Sequence, residues 1–150
     1  MLSVERLQEF EPILLQNSFA NLATILPDGS PHITPLWFQY NSSSKSISLS
    51  IEQNSIKDKN ISKNTHICLS IQDPANPYHY VQIRGIVISK ELDNDAQFSN
   101  SLFRKYSNNK LQHSWFDYTN PLYIVTIKPV HVTGWSKESA YNFYNKLNNS

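Results

Sequence analysis

The sequence predicts a mainly β protein in which antiparallel strands form a sheet or barrel and a few α-helices flank it. Apolar and polar residues alternate in segments such as residues 47–51 and 67–71, which is the pattern of half-buried strands. Turn-forming residues separate these segments along most of the chain. Of the 150 residues, 39% are hydrophobic, and a chain of this length and composition can bury one core. We therefore expect a single domain over residues 1–150.

The alternation of apolar and polar residues and the turns between the segments predict the individual strands. Residues 19–26 form a first strand, the sequence Pro-Asp-Gly-Ser at residues 27–30 forms a turn, and residues 33–40 complete a hairpin. Pro35 interrupts the second strand. Because proline has no N–H to donate to a ladder, we expect it at a sheet edge or a bulge. Further strands are predicted at residues 47–51, 67–71, 80–89, 122–128 and 130–135.

Helices are predicted where a polar residue precedes an apolar pattern of helical spacing. Four residues are candidate N-caps: Ser3, Ser55, Asp93 and Ser136. The first helix would bury Leu7, Phe10 and Leu14, and Pro12 would kink or end it. The second would be short, reaching about residue 64, with Asp58 three residues after the Ser55 cap.

Composition excludes several classes of function. A net charge of +1 lacks the broad positive field of a general nucleic-acid or anionic-membrane binder. Three glycines cannot supply a dinucleotide or P-loop fingerprint, and the single Cys68 excludes internal disulfides and a cysteine-built zinc site. The five histidines show no close pairing, so we expect no metal site. No apolar run approaches the roughly 18 residues of a membrane span, and no signal peptide opens the chain, so we expect a cytoplasmic protein.

Residues 29–38 form the first segment with a candidate binding function. A proline in the ladder leaves neighbouring backbone groups free, and Trp37 places a large planar surface beside them. Free donors and acceptors next to an aromatic wall suit a flat heteroaromatic cofactor. The alternative is an ordinary second strand of a hairpin with Trp37 and Phe38 in the core.

Two later segments add candidate contacts for an anion. At residues 50–60 a strand ends and a helix begins, with hydroxyls at Ser50 and Ser55 and a cation at Lys57. Because a helix N-terminus attracts phosphate, this segment is a candidate phosphate site, although such lysines are also often plain surface residues. Residues 73–85 contain a loop with two prolines, followed by a strand that sends Tyr80 and Arg84 to one face.

Taken together, the three segments resemble the pyridoxamine-5′-phosphate-oxidase-like family, the flavin-binding split β-barrels, and within it the small flavin- or deazaflavin-dependent oxidoreductases. The resemblance covers roughly residues 15–132. It rests on these pieces in their order: Pro27-Asp28-Gly29-Ser30-Pro31, Thr34-Pro35-Leu36-Trp37-Phe38, Lys57 with Asn60-Ile61, Asp73-Pro74, Asn76-Pro77-Tyr78, Ile83-Arg84-Gly85, Arg104-Lys105-Tyr106 and Ile127-Lys128-Pro129.

The resemblance implies a six-stranded antiparallel split β-barrel that forms a homodimer with cofactor sites between the subunits. The implied cofactor is FMN, or alternatively the deazaflavin coenzyme F-420, and the implied reaction is hydride transfer with a small-molecule substrate. The implied cofactor-binding residues are Thr34, Pro35, Leu36 and Trp37 at the ring, Ser50 and Ile51 near the ribityl-phosphate, Lys57 at the phosphate, and Tyr80 approaching the cofactor. No catalytic side chain is assigned. Relatives usually carry arginines near Gln53 and Ser55 and often at His79.

A second function stays open beside the enzyme. The chain could be a non-catalytic split-barrel dimer that binds, stores or senses a flavin or a haem-like ligand.

Two further expectations hold for either function. The aromatic residues Trp115, Phe116, Tyr118 and Tyr123 are expected to form a lid or a dimer contact. Cys68 is expected to be a buried, inert thiol.

Overall fold

A computed structural model describes residues 3–108 and 120–149 of the chain. It contains one antiparallel sheet of seven strands in the order β2-β1-β5-β6-β7-β4-β3. The strands are β1 (Ala20–Ile25), β2 (Pro31–Leu36), β3 (Phe38–Asn41), β4 (Ser46–Glu52), β5 (His66–Asp73), β6 (Asn76–Leu92) and β7 (Leu122–Trp135). The prediction of a mainly β split barrel is confirmed.

The barrel is closed at one corner by Trp37. Strands β2 and β3 lie at opposite edges of the sheet, yet only Trp37 separates them in sequence. Since neighbouring Cα atoms are about 3.8 Å apart, the sheet must curl until its two edges meet there. The prediction of one strand over residues 33–40 was wrong for this reason, and the sheet has seven strands instead of six. Pro35 lies on an edge strand, as predicted.

Strand β7 is continuous where two strands were predicted. Arg84 of β6 pairs with His131 and Gly85 pairs with Pro129, so Val130 is an extra residue in a bulge. A Cβ added at Gly85 would lie 2.8 Å from the carbonyl oxygen of Lys128, so glycine permits this close approach of the two strands. The break in alternation at residue 129 therefore marks a bulge within one strand.

The inward face of the sheet forms the core, and the N-terminal helices cover it. The fully buried side chains include Leu7, Phe10 and Leu14, as predicted. These residues lie in a 3₁₀ helix (Ser3–Phe10) followed by the α-helix α1 (Glu11–Leu14). Pro12 stands in the first turn of α1, so it begins that helix and does not end it. Ser3 does not act as a cap, because its hydroxyl lies 3.1 Å from Nδ1 of His131.

Ser55 and Ser136 are N-caps as predicted, whereas Asp93 stands three residues before Ala96, the N-cap residue of its helix. The remaining helices are α2 (Ile56–Lys63), α3 (Gln97–Tyr106, after a 3₁₀ turn at Asn94–Ala96) and α4 (Lys137–Asn148). The hydroxyls of Ser55 and Ser136 accept hydrogen bonds from backbone N–H groups in the first turns of α2 and α4. The carboxylate of Asp93 accepts the N–H groups of Phe98 and Ser99 at the start of α3.

Cys68 differs from its predicted burial. It lies half-buried on the outward face of β5 and not in the core. Burial raises the pKa of its thiol, and the nearby guanidinium of Arg84 lowers that pKa to a smaller extent. Residues 115, 116 and 118 of the predicted aromatic lid lie outside the described residues. Within the described part of the chain, no helix has the length and apolarity needed to cross a bilayer.

Candidate functional site

A cavity of about 390 Å³ lies beside the corner where the two edges of the sheet meet. Strands β2 and β4 and helices α2 and α3 supply most of its wall. Its lining residues are Phe19, Pro35, Leu36, Trp37, Ser50, Glu52, Lys57, Ser99, Leu102 and Leu122. The volume is in the range of cavities that hold small molecules and cofactors, which are typically about 300–1,000 Å³.

The indole of Trp37 forms a fixed aromatic wall of this cavity. It stacks on the ring of Tyr106, with centroids 5.1 Å apart and planes 14° from parallel. The phenol of Tyr106 donates to the carbonyl of Ser18 at 2.8 Å and accepts from the N–H of Phe38 at 3.3 Å. Burial raises the pKa of Tyr106, although its hydrogen bond with Phe38 opposes that shift. The phenol therefore stays neutral and keeps Trp37 in place.

The edge strand β2 supplies the wall next to Trp37. Pro35 and Leu36 line the cavity, and β1 is the single strand that pairs with β2 within residues 3–108 and 120–149. An edge strand leaves alternate backbone groups without a sheet partner, so hydrogen-bonding groups are available along it. In the same strand, Oγ1 of Thr34 is buried and has no hydrogen-bond partner among the described residues. This oxygen is covered by protein and Thr34 does not line the cavity, so a molecule bound there does not reach it.

Lys57 places a positive charge in the cavity wall from the first turn of α2. The N–H of Asp58 is bonded to the hydroxyl of Ser55 at 3.2 Å, and the carboxylate of Asp58 accepts the N–H of Asn54 at 2.8 Å. Nζ of Lys90 donates to the same carboxylate at 2.8 Å. One N–H of the first turn is thus already bonded to a side chain, and the ammonium of Lys57 adds a positive charge beside this helix start. None of the ion pairs formed within residues 3–108 and 120–149 involves Lys57.

Strand β4 supplies polar groups and a negative charge to the cavity wall. Ser50 and Glu52 are two residues apart in β4, and both line the cavity. Glu52 accepts a hydrogen bond from the amide of Asn120 at 2.6 Å. The Ser50 hydroxyl lies 2.5 Å from that of Ser99, and Ser99 donates to the carboxylate of Asp93 at 2.7 Å.

The structure brings five of the eight predicted site residues together at this cavity: Pro35, Leu36, Trp37, Ser50 and Lys57. Thr34 is adjacent in sequence but is not a lining residue. The side chain of Ile51 is 1% exposed and belongs to the core. Tyr80 stacks on Trp135, at the end of β7 opposite Leu122, so it does not border the cavity of its own chain.

Sequence reasoning missed five lining residues: Phe19, Glu52, Ser99, Leu102 and Leu122. The two-residue spacing from Ser50 places Glu52 on the same face of β4, so strand alternation could have found it. Ser99 of helix α3 lies 49 residues beyond Ser50 in sequence, and nothing local in its sequence indicates that the two residues pack together.

Two of the three positions at which the resemblance implies cations have structural roles in this chain. The hydroxyl of Ser55 caps α2. His79 is 1% exposed, and its Nδ1 lies 3.1 Å from Oδ2 of Asp73. Gln53 is half-buried, and its N–H donates to the carbonyl of Pro121. Lys57 is the one cation among the described residues that line the cavity.

Several proteins of known structure are similar to this chain over most of its length. The chain is similar to an F420 reductase of known structure, with 27% identity and a TM-score of 0.75 over 83% of this chain and 95% of that one. A conserved hypothetical protein of Mycobacterium tuberculosis shares the fold at 19% identity and a TM-score of 0.67, over 86% of this chain and 83% of that one. General stress protein 26 of Bacillus anthracis also shares the fold, at 18% identity and a TM-score of 0.60, over 85% of this chain and 92% of that one. No curated protein sequence matches significantly.

The family model for pyridoxamine 5′-phosphate oxidase matches residues 7–136. This match includes the seven strands given above and all ten described residues that line the cavity. A curled antiparallel sheet whose edges meet at a single residue agrees with the fold of the solved structures. The chain belongs to the pyridoxamine 5′-phosphate oxidase family.

Proposed function

We propose that this protein is an oxidoreductase that binds FMN or the deazaflavin coenzyme F-420 in the cavity beside Trp37 and transfers a hydride between it and a small molecule. The observation that carries the proposal is the lining of the cavity: an aromatic and apolar wall with one cation at one side. That combination suits a flat ring joined to a phosphate. The similarity to an F420 reductase supports the deazaflavin alternative.

The residues present fit such a group on three counts. Trp37 and Leu36 offer apolar surface to a ring, and the free edge of β2 offers backbone hydrogen bonds. Lys57 offers a charge-assisted hydrogen bond to a phosphate, which is roughly twice as strong as a neutral one.

The protein's part in the reaction is binding, orientation and exclusion of water. A bound flavin or deazaflavin supplies the hydride chemistry itself. Trp37, held by Tyr106, fixes the plane against which a ring rests. Leu36, Leu102 and Leu122 keep water from that plane, which strengthens electrostatic interactions inside the cavity. We assign no side chain as nucleophile, acid or base.

We also propose a homodimer with the cofactor sites near the subunit interface. The register places Ile33, Ala23, Cys68, Arg84 and His131 in one row across the outer face of five strands. Ile33 is 63% exposed, so this row begins with an uncovered apolar side chain. A second copy could bury it, and Tyr80 of one subunit could then approach a cofactor held by the other.

The second candidate function is a non-catalytic dimer that stores or senses a flavin or a haem-like ligand. It is favoured by the charges of the cavity. Among the described lining residues, the positive charge of Lys57 is balanced by the negative charge of Glu52. Such a site would hold an anionic cofactor less tightly than one with several arginines.

Titration of the purified protein tests the proposal. FMN and the deazaflavin coenzyme are added separately while cofactor and tryptophan fluorescence are followed. We expect one of them to bind with a Kd in the micromolar range or below, which corresponds to about −8 kcal/mol. The loaded protein is then mixed with reduced nicotinamide or deazaflavin cofactors and a panel of electron acceptors.

Each outcome decides between the candidates. Binding followed by oxidation of the reduced cofactor supports the oxidoreductase. Binding without any turnover supports the storage or sensing protein. If neither cofactor binds at micromolar concentration, the proposal is wrong.

A further inference from the structure

A chain of three hydrogen-bonded side chains leads from a buried carboxylate to the cavity wall. The carboxylate of Asp93, which is 7% exposed, accepts the N–H of Phe98 at 3.0 Å and the N–H of Ser99 at 2.9 Å. It also accepts the hydroxyl of Ser99 at 2.7 Å. The hydroxyl of Ser99, 4% exposed, lies 2.5 Å from that of Ser50, which faces the cavity.

The direction of these hydrogen bonds follows from counting protons. A carboxylate only accepts, and a serine hydroxyl has one proton to donate. Because Ser99 donates its proton to Asp93, the bond between the two serines must use the proton of Ser50. The oxygen of Ser50 then has lone pairs toward the cavity and no proton left for a ligand.

The same side of the cavity carries a second acceptor. Glu52 follows Ser50 by two residues in β4, so both side chains are on one face of the strand. An ionised carboxylate also only accepts hydrogen bonds. A phosphate oxygen placed against Ser50 and Glu52 would meet two acceptors, whereas a hydroxyl or N–H group would meet two partners.

We propose that Asp93 and Ser99 act as positioning residues that hold Ser50 as a hydrogen-bond acceptor, and that the β4 wall thereby selects a ligand segment rich in hydroxyl groups. This inference rests on the proposed function and adds to it the part that Asp93 and Ser99 play in fixing the proton of Ser50. The polyol chain of the cofactor lies along Ser50 and Glu52, and its phosphate lies toward Lys57.

The test compares ligands that differ only in the polyol. Riboflavin carries a ribityl chain without phosphate, and lumiflavin carries the same ring with a methyl group in its place. Their dissociation constants are measured by fluorescence for the wild type and for Ser50→Ala, Ser99→Ala and Ser99→Thr. Ser48→Ala in β4 and Ser101→Ala in α3 are matched controls, because neither residue lines the cavity.

We expect Ser50→Ala to weaken riboflavin binding about fivefold to tenfold, the loss of one hydrogen bond, and to leave lumiflavin binding unchanged. Ser99→Ala should also reduce the preference for riboflavin over lumiflavin. Without Ser99 the proton of Ser50 has no fixed acceptor, so the oxygen of Ser50 is no longer held as an acceptor toward the cavity. Ser99→Thr keeps a hydroxyl and should restore the preference. A purely structural role of Ser99 would weaken both ligands equally.

The possible failures are distinct. If FMN or the deazaflavin coenzyme binds but the riboflavin preference of Ser50→Ala and Ser99→Ala equals that of the two control variants, this inference is wrong and the proposed function stands. If neither of those cofactors nor either flavin probe binds to the wild type, the proposed function fails and this inference fails with it.

Discussion

Replacement of Lys57 by alanine is the most direct probe of the proposed cofactor orientation. Lys57 supplies the one positive charge among the described lining residues, and the first turn of α2 holds it in the wall. Its removal leaves Glu52 as the charged group of that lining. We therefore expect weaker binding of any ligand that carries a phosphate.

The size of the effect follows from the environment of the lysine. A hydrogen bond to a charged group contributes about 1.5–3 kcal/mol when it is desolvated. Lys57 is only half-buried, and the carboxylate of Glu52 lies in the same lining, so solvent and the opposite charge reduce this value. The lower end of the range applies, which corresponds to an increase in Kd of about tenfold.

The assay is a fluorescence titration with FMN and with riboflavin. Lys57→Ala should raise the Kd for FMN and leave that for riboflavin unchanged, because riboflavin lacks the phosphate. Lys59→Ala removes the same charge from an exposed position of the same helix and serves as the control. Added salt should weaken FMN binding to the wild type more than to Lys57→Ala, since screening acts on the charge that the variant has lost.

Two results would refute this reasoning. An unchanged Kd for FMN in Lys57→Ala would show that the phosphate lies elsewhere. An equal loss of affinity for FMN and riboflavin would show that the lysine acts on the shape of the cavity and not on a phosphate. The deazaflavin coenzyme and the ribityl deazaflavin that lacks its phosphate allow the same comparison if that cofactor is the one that binds.

Three further predictions concern assembly and stability. Ile33→Lys should convert a dimer to a monomer in analytical ultracentrifugation, whereas Leu15→Lys, an equally apolar exposed position outside the sheet, should not. Asp58→Asn should lower the free energy of unfolding in urea by about 1–3 kcal/mol, because the buried carboxylate holds two donors, while Glu9→Gln in an exposed pair should change it by less than about 0.5 kcal/mol. Burial of Asp73 raises its pKa, but hydrogen bonds to its carboxylate outweigh burial and leave the pKa below its usual range. The stability that its ionised carboxylate contributes is thus present above about pH 4 and is lost as the pH falls further. Asp73→Asn should therefore make the midpoint of urea unfolding less dependent on pH between about pH 5 and pH 3.

Local chemistry made the predicted elements recognisable. The alternation in β4 and β5, the caps at Ser55 and Ser136 and the hydrogen bonds of Asp93 at the start of α3 depend on residues only a few positions apart. The boundaries that failed depend on pairing. Nothing within residues 33–40 says that the strand changes its partner at Trp37, and the bulge at Val130 is defined by its register against β6.

Some features of the candidate site follow from local sequence, and others depend on how the chain folds. Local sequence predicts a β-rich chain with Pro35 at a sheet edge, an aromatic surface at Trp37 and a cation at a helix start. Each of these follows from the properties of one residue and its close neighbours. The contact of Ser99 in α3 with Ser50 in β4, and the position of Tyr80 away from the cavity of its own chain, depend on the folded arrangement of the strands and helices. Contacts between residues distant in sequence depend on how the sheet curls, and curling is a property of the whole set of paired strands.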